Sequence, residues 1–206
     1  AWCFFQHKTD PSLLSTTVPL APDYSVSYLD LAVRESVGRI NSYRHLNYGS
    51  LLWAGYDIGL GLNGQSKTYH SFSLGAQYNK IVSRFIELSA SFVTGYTSSR
   101  LPSLIHYLNA ADVKGCITGQ ESGQGHYNLK LNSRFTYIYT NWFALEQSVY
   151  NHLGMAGDHY LNIFKKKPLV SAGTKIRIWT PMVPWLAVSV YFTYLKGNDN
   201  WFQLEI

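Results

Sequence analysis

The chain of 206 residues has few charged side chains, only two cysteines and no long hydrophobic run. Charged residues make up 14% of the sequence, whereas an ordinary soluble domain has about 25%. Cys3 and Cys116 are too few for a disulfide framework, and no Cys/His spacing is typical of a metal site, so no cofactor is expected. No stretch of about 18 apolar residues occurs, which excludes a transmembrane helix.

The net charge of +5 is modest, and its one basic run is Lys165-Lys166-Lys167. That run is interpreted as a solvated loop. No segment is typical of a nucleic-acid-binding module, so nucleic acid is not an expected partner.

Aromatic residues are abundant, at 16%, and they lie in segments of alternating polarity. The clearest segment is PWLAVSVYFTYLK, residues 184–196. One side of it carries Leu186, Val188, Val190, Phe192 and Tyr194. Because successive side chains of a β-strand point to opposite faces, strict alternation over this length predicts a strand.

Seven further segments share this pattern, and the connections between them alternate in length. The eight predicted strands are residues 51–62, 67–78, 84–96, 127–140, 142–152, 168–179, 184–196 and 200–206. Every second connection is tight, and the long ones, above all 97–126, fall at one end. Outer-membrane barrels have this asymmetry. The sequence therefore predicts an all-β fold, a transmembrane antiparallel up-and-down β-barrel of eight to ten strands.

Residues 24–50 fit two descriptions. YSVSYLDLAV alternates as a strand does, and Gly38 could turn the chain into a second strand near 39–47, which would give ten strands; this is the favoured interpretation. The spacing of an amphipathic helix is also present: Leu29, Ala32, Val33, Val37, Ile40 and Tyr43.

Residues 1–23 contain three prolines and are predicted to be an irregular N-terminal extension or linker on the periplasmic side. The barrel is then predicted to comprise 24–206, with 51–206 as its eight regular strands. On this topology Cys3 and Cys116 lie on opposite sides of an apolar band about 25 Å tall, so they are not expected to pair.

The two faces of the predicted strands differ in charge. The apolar sides carry no Asp, Glu or Lys at mid-strand, whereas the polar sides combine small residues with single charges. These are the predicted lumen charges: Asp57, Glu87, Lys130, Arg134, Glu146, Lys175, Arg177 and Glu205. Four acidic and four basic groups are typical of a filled, narrow lumen in which opposite charges pair. The apolar sides would then face lipid; the alternative is a secreted β-protein with those sides in its core.

Aromatic residues near the strand ends are predicted to form two interfacial girdles. The tight-turn end has Trp53, Tyr78, Tyr139, Trp142, Trp179 and Trp185, and the other end has Tyr96, Tyr127 and Trp201. With these features and a final WFQLEI strand, residues 51–206 resemble the small bacterial outer-membrane barrels of the OmpA and OmpX type. Those barrels usually end on Phe, whereas this sequence ends on Ile206. A Gram-negative outer membrane is the expected location, with outer-membrane lipids including lipopolysaccharide, and other envelope proteins, as expected partners.

Three residues are candidates for catalysis: His70, Glu146 and His152. His70 lies on the apolar side near the loop end with Thr68 two residues earlier, and a histidine beside a hydroxyl could serve a lipid deacylase. Glu146 and His152 share one polar strand face, where a carboxylate and an imidazole could act as base and acid. A headgroup-level histidine and a lumen hydrogen-bond network are the favoured interpretations of the two sets.

Three function hypotheses follow from this pattern. The leading one is a non-enzymatic structural, accessory or adhesive subunit that acts through its external loops or N-terminal extension. The second is a lipid-modifying enzyme, either a lipid A deacylase or an acyltransferase. The third is a narrow channel, which would need an unfilled lumen.

Overall fold

The computed structural model describes residues 2–8, 25–62, 67–101, 104–116, 121–158, 160, 163–196 and 201–205. The strands are β1 Trp2–Lys8, β2 Ser25–Tyr43, β3 Leu46–Gly61, β4 Tyr69–Ser83, β5 Ile86–Thr97, β6 His106–Tyr107, β7 Ser122–Gly123, β8 Gly125–Tyr139, β9 Ala144–Gly157, β10 Leu169–Thr180, β11 Val183–Leu195 and β12 Trp201–Glu205. A short 3-10 helix spans Ile163–Lys165. Within these residues no helix has both the length and the apolar character needed to span a bilayer.

Ten strands form one antiparallel sheet in which each strand pairs with its neighbours along the chain. The order is β1-β2-β3-β4-β5-β8-β9-β10-β11-β12, and β6 and β7 form a separate ribbon within the β5–β8 connection. The prediction of an all-β, antiparallel, up-and-down fold is confirmed. Among the described residues no pairing joins β1 to β12, so the sheet is open at that edge.

The connections alternate in length as predicted. Tight turns of two residues at 44–45, 84–85 and 181–182 and of four residues at 140–143 all lie at one end of the sheet, called here the turn end. The long connections lie at the other end, called the loop end, and the longest joins β5 to β8. The eight strands expected from alternation are present as β3, β4, β5 and β8 to β12.

The N-terminal quarter differs from the prediction. Residues 25–43 form one strand of 19 residues rather than a helix or a hairpin. The turn lies at Arg44 and His45, not at Gly38. Residues 2–8 were expected to be irregular, yet they form β1, with Trp2 opposite Leu31. The count of ten strands is therefore reached by a different route from the one predicted.

Gly38 and Gly49 have unusual backbone angles within the long β2–β3 hairpin. They have φ angles of 99° and 118°, in the left-handed region that residues with a Cβ seldom adopt. A Cβ on Gly38 would lie 2.3 Å from the carbonyl oxygen of Ser50, and one on Gly49 would lie 2.2 Å from that of Arg39. Glycine at 38 therefore permits an unusual backbone conformation within a continuous strand, and no turn forms there.

We expect Gly49→Ala to lower the free energy of unfolding by about 1–3 kcal/mol, because the backbone must move to relieve both the φ strain and the contact with Arg39. Urea titration of the protein in detergent micelles measures this change. Ser50→Ala, on the next residue, is the control and should shift the midpoint little. Equal stability of Gly49→Ala and Ser50→Ala would show that the backbone at residue 49 accommodates a Cβ without strain, contrary to this expectation.

Hydrogen bonds that pass over an intervening strand show that the sheet is strongly curved. In a flat sheet the backbones of such strands lie about 10 Å apart. The three bonds are Tyr69 to Asp30 across β3, the backbone N–H of Asn47 to Glu87 across β4, and Tyr150 with Thr193 across β10. All six residues lie on the same side, so that side is concave.

The opposite, convex face is apolar and exposed. Alternate residues along its strands have large exposed fractions, among them Leu52 at 56%, Leu131 at 46% and Leu186 at 61%. Charged residues are rare there; Glu35 in β2 and Lys80 in β4 are examples. Monomeric soluble proteins seldom expose a continuous apolar surface that extends over so many strands.

Three of the aromatic residues assigned to the turn-end girdle lie instead on the concave face. A bulge between Thr136 and Ile138 shifts the register of β8, and an extra residue reverses which way the next side chains point. Tyr139 therefore turns inward and stacks on His45, with ring centroids 4.2 Å apart. Trp179 is its neighbour, with ring centroids 6.1 Å apart.

Trp53, on the concave side of β3, covers Gly75, where a Cβ would lie 2.0 Å from the indole ring. The girdle prediction is thus wrong for Trp53, Tyr139 and Trp179. Tyr78 and Trp142 are exposed as a girdle requires. The side chains of Trp185 and Trp201 lie outside the described residues.

Candidate functional site

The concave face carries the polar groups of the molecule and is filled at both ends. At the turn end we define the turn-end cluster as His45, Glu87, Arg134, Tyr139 and Trp179. At the loop end, residues 104–116 of the β5–β8 connection fold over the concave face; we call this segment the loop plug.

Glu87 is the best-satisfied buried charge of the turn-end cluster. Its side chain is 5% exposed and forms a salt bridge with Arg134. The backbone N–H of Asn47 donates to it at 2.7 Å and the side-chain amide of Asn79 at 3.0 Å. A buried carboxylate is stable only with such partners, because desolvation otherwise outweighs the gain.

His45 covers this ion pair from the tight turn of the β2–β3 hairpin. Burial lowers the pKa of His45, and the positive charges of Arg134 and Arg44 lower it further. The ring is therefore neutral at pH 7 and stacks on Tyr139. The turn end of the concave face is thus closed by a neutral aromatic layer over a buried ion pair.

The loop plug is held first by apolar contacts. Leu108 and Val113 are fully buried against Ala156 of β9 and Leu195 of β11. Gly154 leaves room for this contact, because a Cβ there would lie 2.5 Å from the Val113 side chain.

Polar contacts fix the register of the loop plug. Asp112 accepts a hydrogen bond from the Asn128 amide at 2.9 Å, and its Oδ2 lies 3.3 Å from Nε2 of His106. Burial opposes ionisation of Asp112, but these partners and the Asn109 N–H outweigh it and hold the pKa of that carboxyl below its ordinary value. Asp112 is therefore an ionised anchor between the plug and β8.

Three further contacts join the plug to the strands. Lys130 donates to the carbonyl of Ala111, and the backbone N–H of Lys114 donates to Nδ1 of His152 at 3.4 Å. The His106 ring stacks on His126 at 3.7 Å. Together these contacts occupy the concave face at the loop end.

The three candidate catalytic residues do not form one site. Glu146 and His152 share the concave face of β9, but they are six positions apart along the strand, about 20 Å, which is far beyond hydrogen-bond reach. This separation does not support the acid–base alternative, and the favoured interpretation was a hydrogen-bond network. Nε2 of His152 lies 3.2 Å from the Asn132 side-chain oxygen, and Nδ1 accepts a hydrogen bond from the backbone N–H of Lys114 in the plug, so this histidine belongs to a hydrogen-bond network on the concave face.

His70 lies on the opposite, convex face and is exposed. Its Nδ1 lies 2.7 Å from the hydroxyl of Tyr56, and its backbone N–H donates to Ser98 at 2.9 Å. No carboxylate is paired with it in the described part of the chain. A tyrosine–histidine pair on an exposed apolar face fits the girdle interpretation better than a catalytic one.

The predicted lumen charges lie on the concave face wherever their side chains are described, but they pair less regularly than expected. Among the described side chains, Glu87 and Arg134 form the one salt bridge between two of these charges, whereas Asp57 faces Arg34 at 3.9 Å. Lys175 lies 4.8 Å from the ring of Tyr191 and Arg177 lies 5.3 Å from that of Trp179. Glu146 is buried, and Lys130 holds the plug. The Glu205 side chain lies outside the described residues.

The sequence did not single out His106, Asp112 or Asn128, which hold the plug. His106 and Asp112 lie in an irregular connection, where side chains follow no period that would place them opposite a strand. Nothing in the sequence alone gave a signal for this contact.

The comparisons with known proteins leave the geometry as the basis for assigning function. No protein-family model matches the chain, and no curated protein matches it significantly. Among the described residues no group of three His, Cys, Asp or Glu side chains could hold a metal ion.

The accessibility of the Cys116 thiol to a labelling reagent measures how firmly the loop plug is held. It is 5% exposed, and burial raises the pKa of its thiol, with Asp112 and Glu121 adding to the effect. In a Cys3→Ser background, we expect Asp112→Ala to raise the rate of Cys116 labelling by a dipyridyl disulfide about tenfold or more at pH 7, because it leaves buried donors without an acceptor.

The control for this labelling is Asp158→Ala, which removes an exposed carboxylate from another loop. Because the folded pKa of Asp112 lies below its unfolded value, the anchor is present at neutral pH and is lost only as the pH falls below about 4. Equal labelling rates in the two variants at pH 7 would show that Asp112 does not hold the plug.

Proposed function

We propose that this chain is an integral outer-membrane β-barrel whose interior is filled, and that it acts as a structural or accessory subunit through its loop end. The observation that carries the proposal is the contrast between the two faces of the sheet. An exposed apolar surface covers the convex side, while the concave side holds buried, hydrogen-bonded charges such as Glu87. This is the reverse of a soluble barrel and matches the exterior and lumen of a membrane barrel.

Closure into a cylinder is part of the proposal. One loop supports it. Leu104 packs against the cluster of Tyr28 in β2 and Tyr69 in β4, and Leu108, four residues later, belongs to the cluster that contains Ala156 of β9 and Leu195 of β11. In a flat sheet, seven strand spacings or about 34 Å would separate β2 from β11. A short segment that packs into both clusters is what we expect of a sheet that curls towards closure, and closure would remove the unpaired edges of β1 and β12.

Vesicle flotation tests membrane insertion. Full-length protein refolded with phosphatidylcholine vesicles is expected to rise with them in a density gradient and to stay with them after alkaline carbonate washing. This result is expected because, within the described part of the chain, the apolar residues of the convex face are exposed and not packed against another apolar surface. A protein that stays monomeric in detergent-free buffer and remains at the bottom of the gradient would contradict the proposal.

A narrow channel is the second candidate, favoured by a cavity of about 730 Å³ on the concave side of β2–β4, which Asp30, Arg34 and Asp57 line. Conductance across a planar bilayer separates the two candidates. The filled barrel is expected to give no steady single-channel current, whereas a channel would give one. The lipid-modifying enzyme has less support, because its three candidate residues are divided between two faces.

A further inference from the structure

We propose that the loop-end rim carries a binding site for a phosphate monoester, such as the phosphorylated headgroup of a membrane lipid. The site, called here the rim pocket, is a cavity of about 500 Å³ with polar lining residues Lys67, Thr68, Ser98, Ser99 and Arg100. Tyr28, Tyr69 and Leu101 complete its wall. It adjoins the backbone of His70 but does not include the His70 ring, it is separate from the loop plug, and its assignment to a lipid rests on the proposed function.

The two cations of the rim pocket are available to a ligand. Lys67 and Arg100 are both exposed, and they come from different connections, one before β4 and the other after β5. In the described part of the chain neither has a carboxylate within salt-bridge distance. Two cations that converge on one cavity without an anion between them favour an anionic ligand.

The hydroxyl groups of the pocket are also oriented to donate. The backbone N–H of His70 donates to Oγ of Ser98 at 2.9 Å, and that of Leu101 donates to Oγ of Ser99 at 3.2 Å. A hydroxyl oxygen that already accepts a bond keeps its own proton available for an acceptor. A phosphate oxygen is such an acceptor.

The backbone acceptors nearby are already occupied. The side-chain amide of Gln124 donates to the carbonyl oxygens of Ser98 and Ser99, each at 3.1 Å. The carbonyl of His70 accepts from the N–H of Ser98 at 2.8 Å. These three carbonyl oxygens therefore already have donors within the protein.

The chemistry and the position of the pocket select the ligand. Phosphate offers three oxygens that accept hydrogen bonds, and arginine and lysine are its usual partners. The pocket opens where the strands meet the loops, the level at which lipid headgroups lie around a membrane barrel. At the same end of the sheet, Phe72, which is 38% exposed, and Tyr96 pack together on the convex face, and such an aromatic surface suits the glycerol or sugar part of a lipid.

Titration calorimetry of the full chain in uncharged detergent tests the proposal with three probes. These are dihexanoyl phosphatidic acid, dihexanoyl phosphatidylcholine and inorganic phosphate. Phosphatidic acid is expected to bind, and Lys67→Ala/Arg100→Ala is expected to weaken that binding about tenfold or more. Phosphatidylcholine, which has no monoester, is expected to bind far more weakly.

Lys165→Ala/Lys167→Ala is the matched control, because it removes two exposed cations from another connection at the same end of the sheet. It is expected to leave the affinity within twofold of the unmodified chain. If phosphatidic acid binds equally to both double variants, the rim pocket is not the site. Tighter binding of phosphatidic acid than of inorganic phosphate assigns the site to lipid, and the reverse assigns it to free phosphate.

Failure of the phosphate-site proposal can be distinguished from failure of the membrane proposal. Both double variants change exposed side chains, so both are expected to float with vesicles as the unmodified chain does. Flotation without loss of phosphate binding in Lys67→Ala/Arg100→Ala would overturn the phosphate site alone. Absence of flotation in the unmodified chain would overturn the membrane proposal.

Discussion

Replacing Arg134 by methionine is expected to lower the free energy of unfolding by about 3–5 kcal/mol. The change removes the guanidinium that pairs with Glu87 and leaves a carboxylate that is 5% exposed. The hydrogen bonds that the Asn47 backbone N–H and the Asn79 side-chain amide donate to Glu87 remain, but they cannot neutralise the negative charge of its carboxylate. Urea titration in detergent micelles, followed by tryptophan fluorescence, measures the loss.

The control is Arg34→Met, on the same concave side of the sheet. Arg34 is 80% exposed and lies 3.9 Å from Asp57, so its loss should cost no more than about 1 kcal/mol. The double variant Arg134→Met/Glu87→Gln should recover part of the stability, because no buried charge remains. Equal, small effects at Arg34 and Arg134 would mean that Glu87 is solvated, contrary to a sealed concave face.

Replacing Leu131 by arginine is expected to cost about 2–4 kcal/mol in the free energy of folding into vesicles. Leu131 lies on the convex face near the middle of β8, and 46% of its surface is exposed. In a membrane barrel that position is near the bilayer midplane, so the guanidinium must be desolvated or must distort the lipid. The measurement is the urea midpoint for folding in phosphatidylcholine vesicles.

Tyr137→Arg is the control for depth. Tyr137 lies on the same face of the same strand, about 20 Å nearer the tight turns, and is 59% exposed. There an arginine reaches the headgroups, so the expected cost is about 0–1 kcal/mol. In a soluble protein both positions would contact water, and arginine would be tolerated equally at each.

Much of the sheet could be predicted because alternation is a local property. Each of the eight regular strands has its own period-two pattern, and the tight turns lie between them. Strand β2 was ambiguous because its apolar residues also fit helical spacing, and the contact of Gly38 with Ser50 depends on the neighbouring strand. Strand β1 was missed because seven residues beside a proline-containing stretch carry too short a pattern.

For the candidate site, the sequence could predict on which face of a strand a side chain lies, but not which residue it contacts. Glu87 and Arg134 were both placed in the lumen, and both lie on the concave face, but their pairing depends on the β5–β8 register. Tyr139 was placed outside because a bulge after Thr136 cannot be read from the alternation itself. The plug residues Asp112 and His106 belong to an irregular loop, so only the three-dimensional structure brings them to β8.

The most direct test of the account is the accessibility of spin labels placed one at a time at residues 188–193 of β11, in a Cys3→Ser/Cys116→Ser background reconstituted into vesicles. Labels at 188, 190 and 192 should collide readily with oxygen, which concentrates in lipid, and hardly at all with a water-soluble nickel chelate. Labels at 189, 191 and 193 should meet little of either reagent, because they point into a filled interior. Ready access of the nickel chelate to 188, 190 and 192 would place the convex face in water and contradict the account.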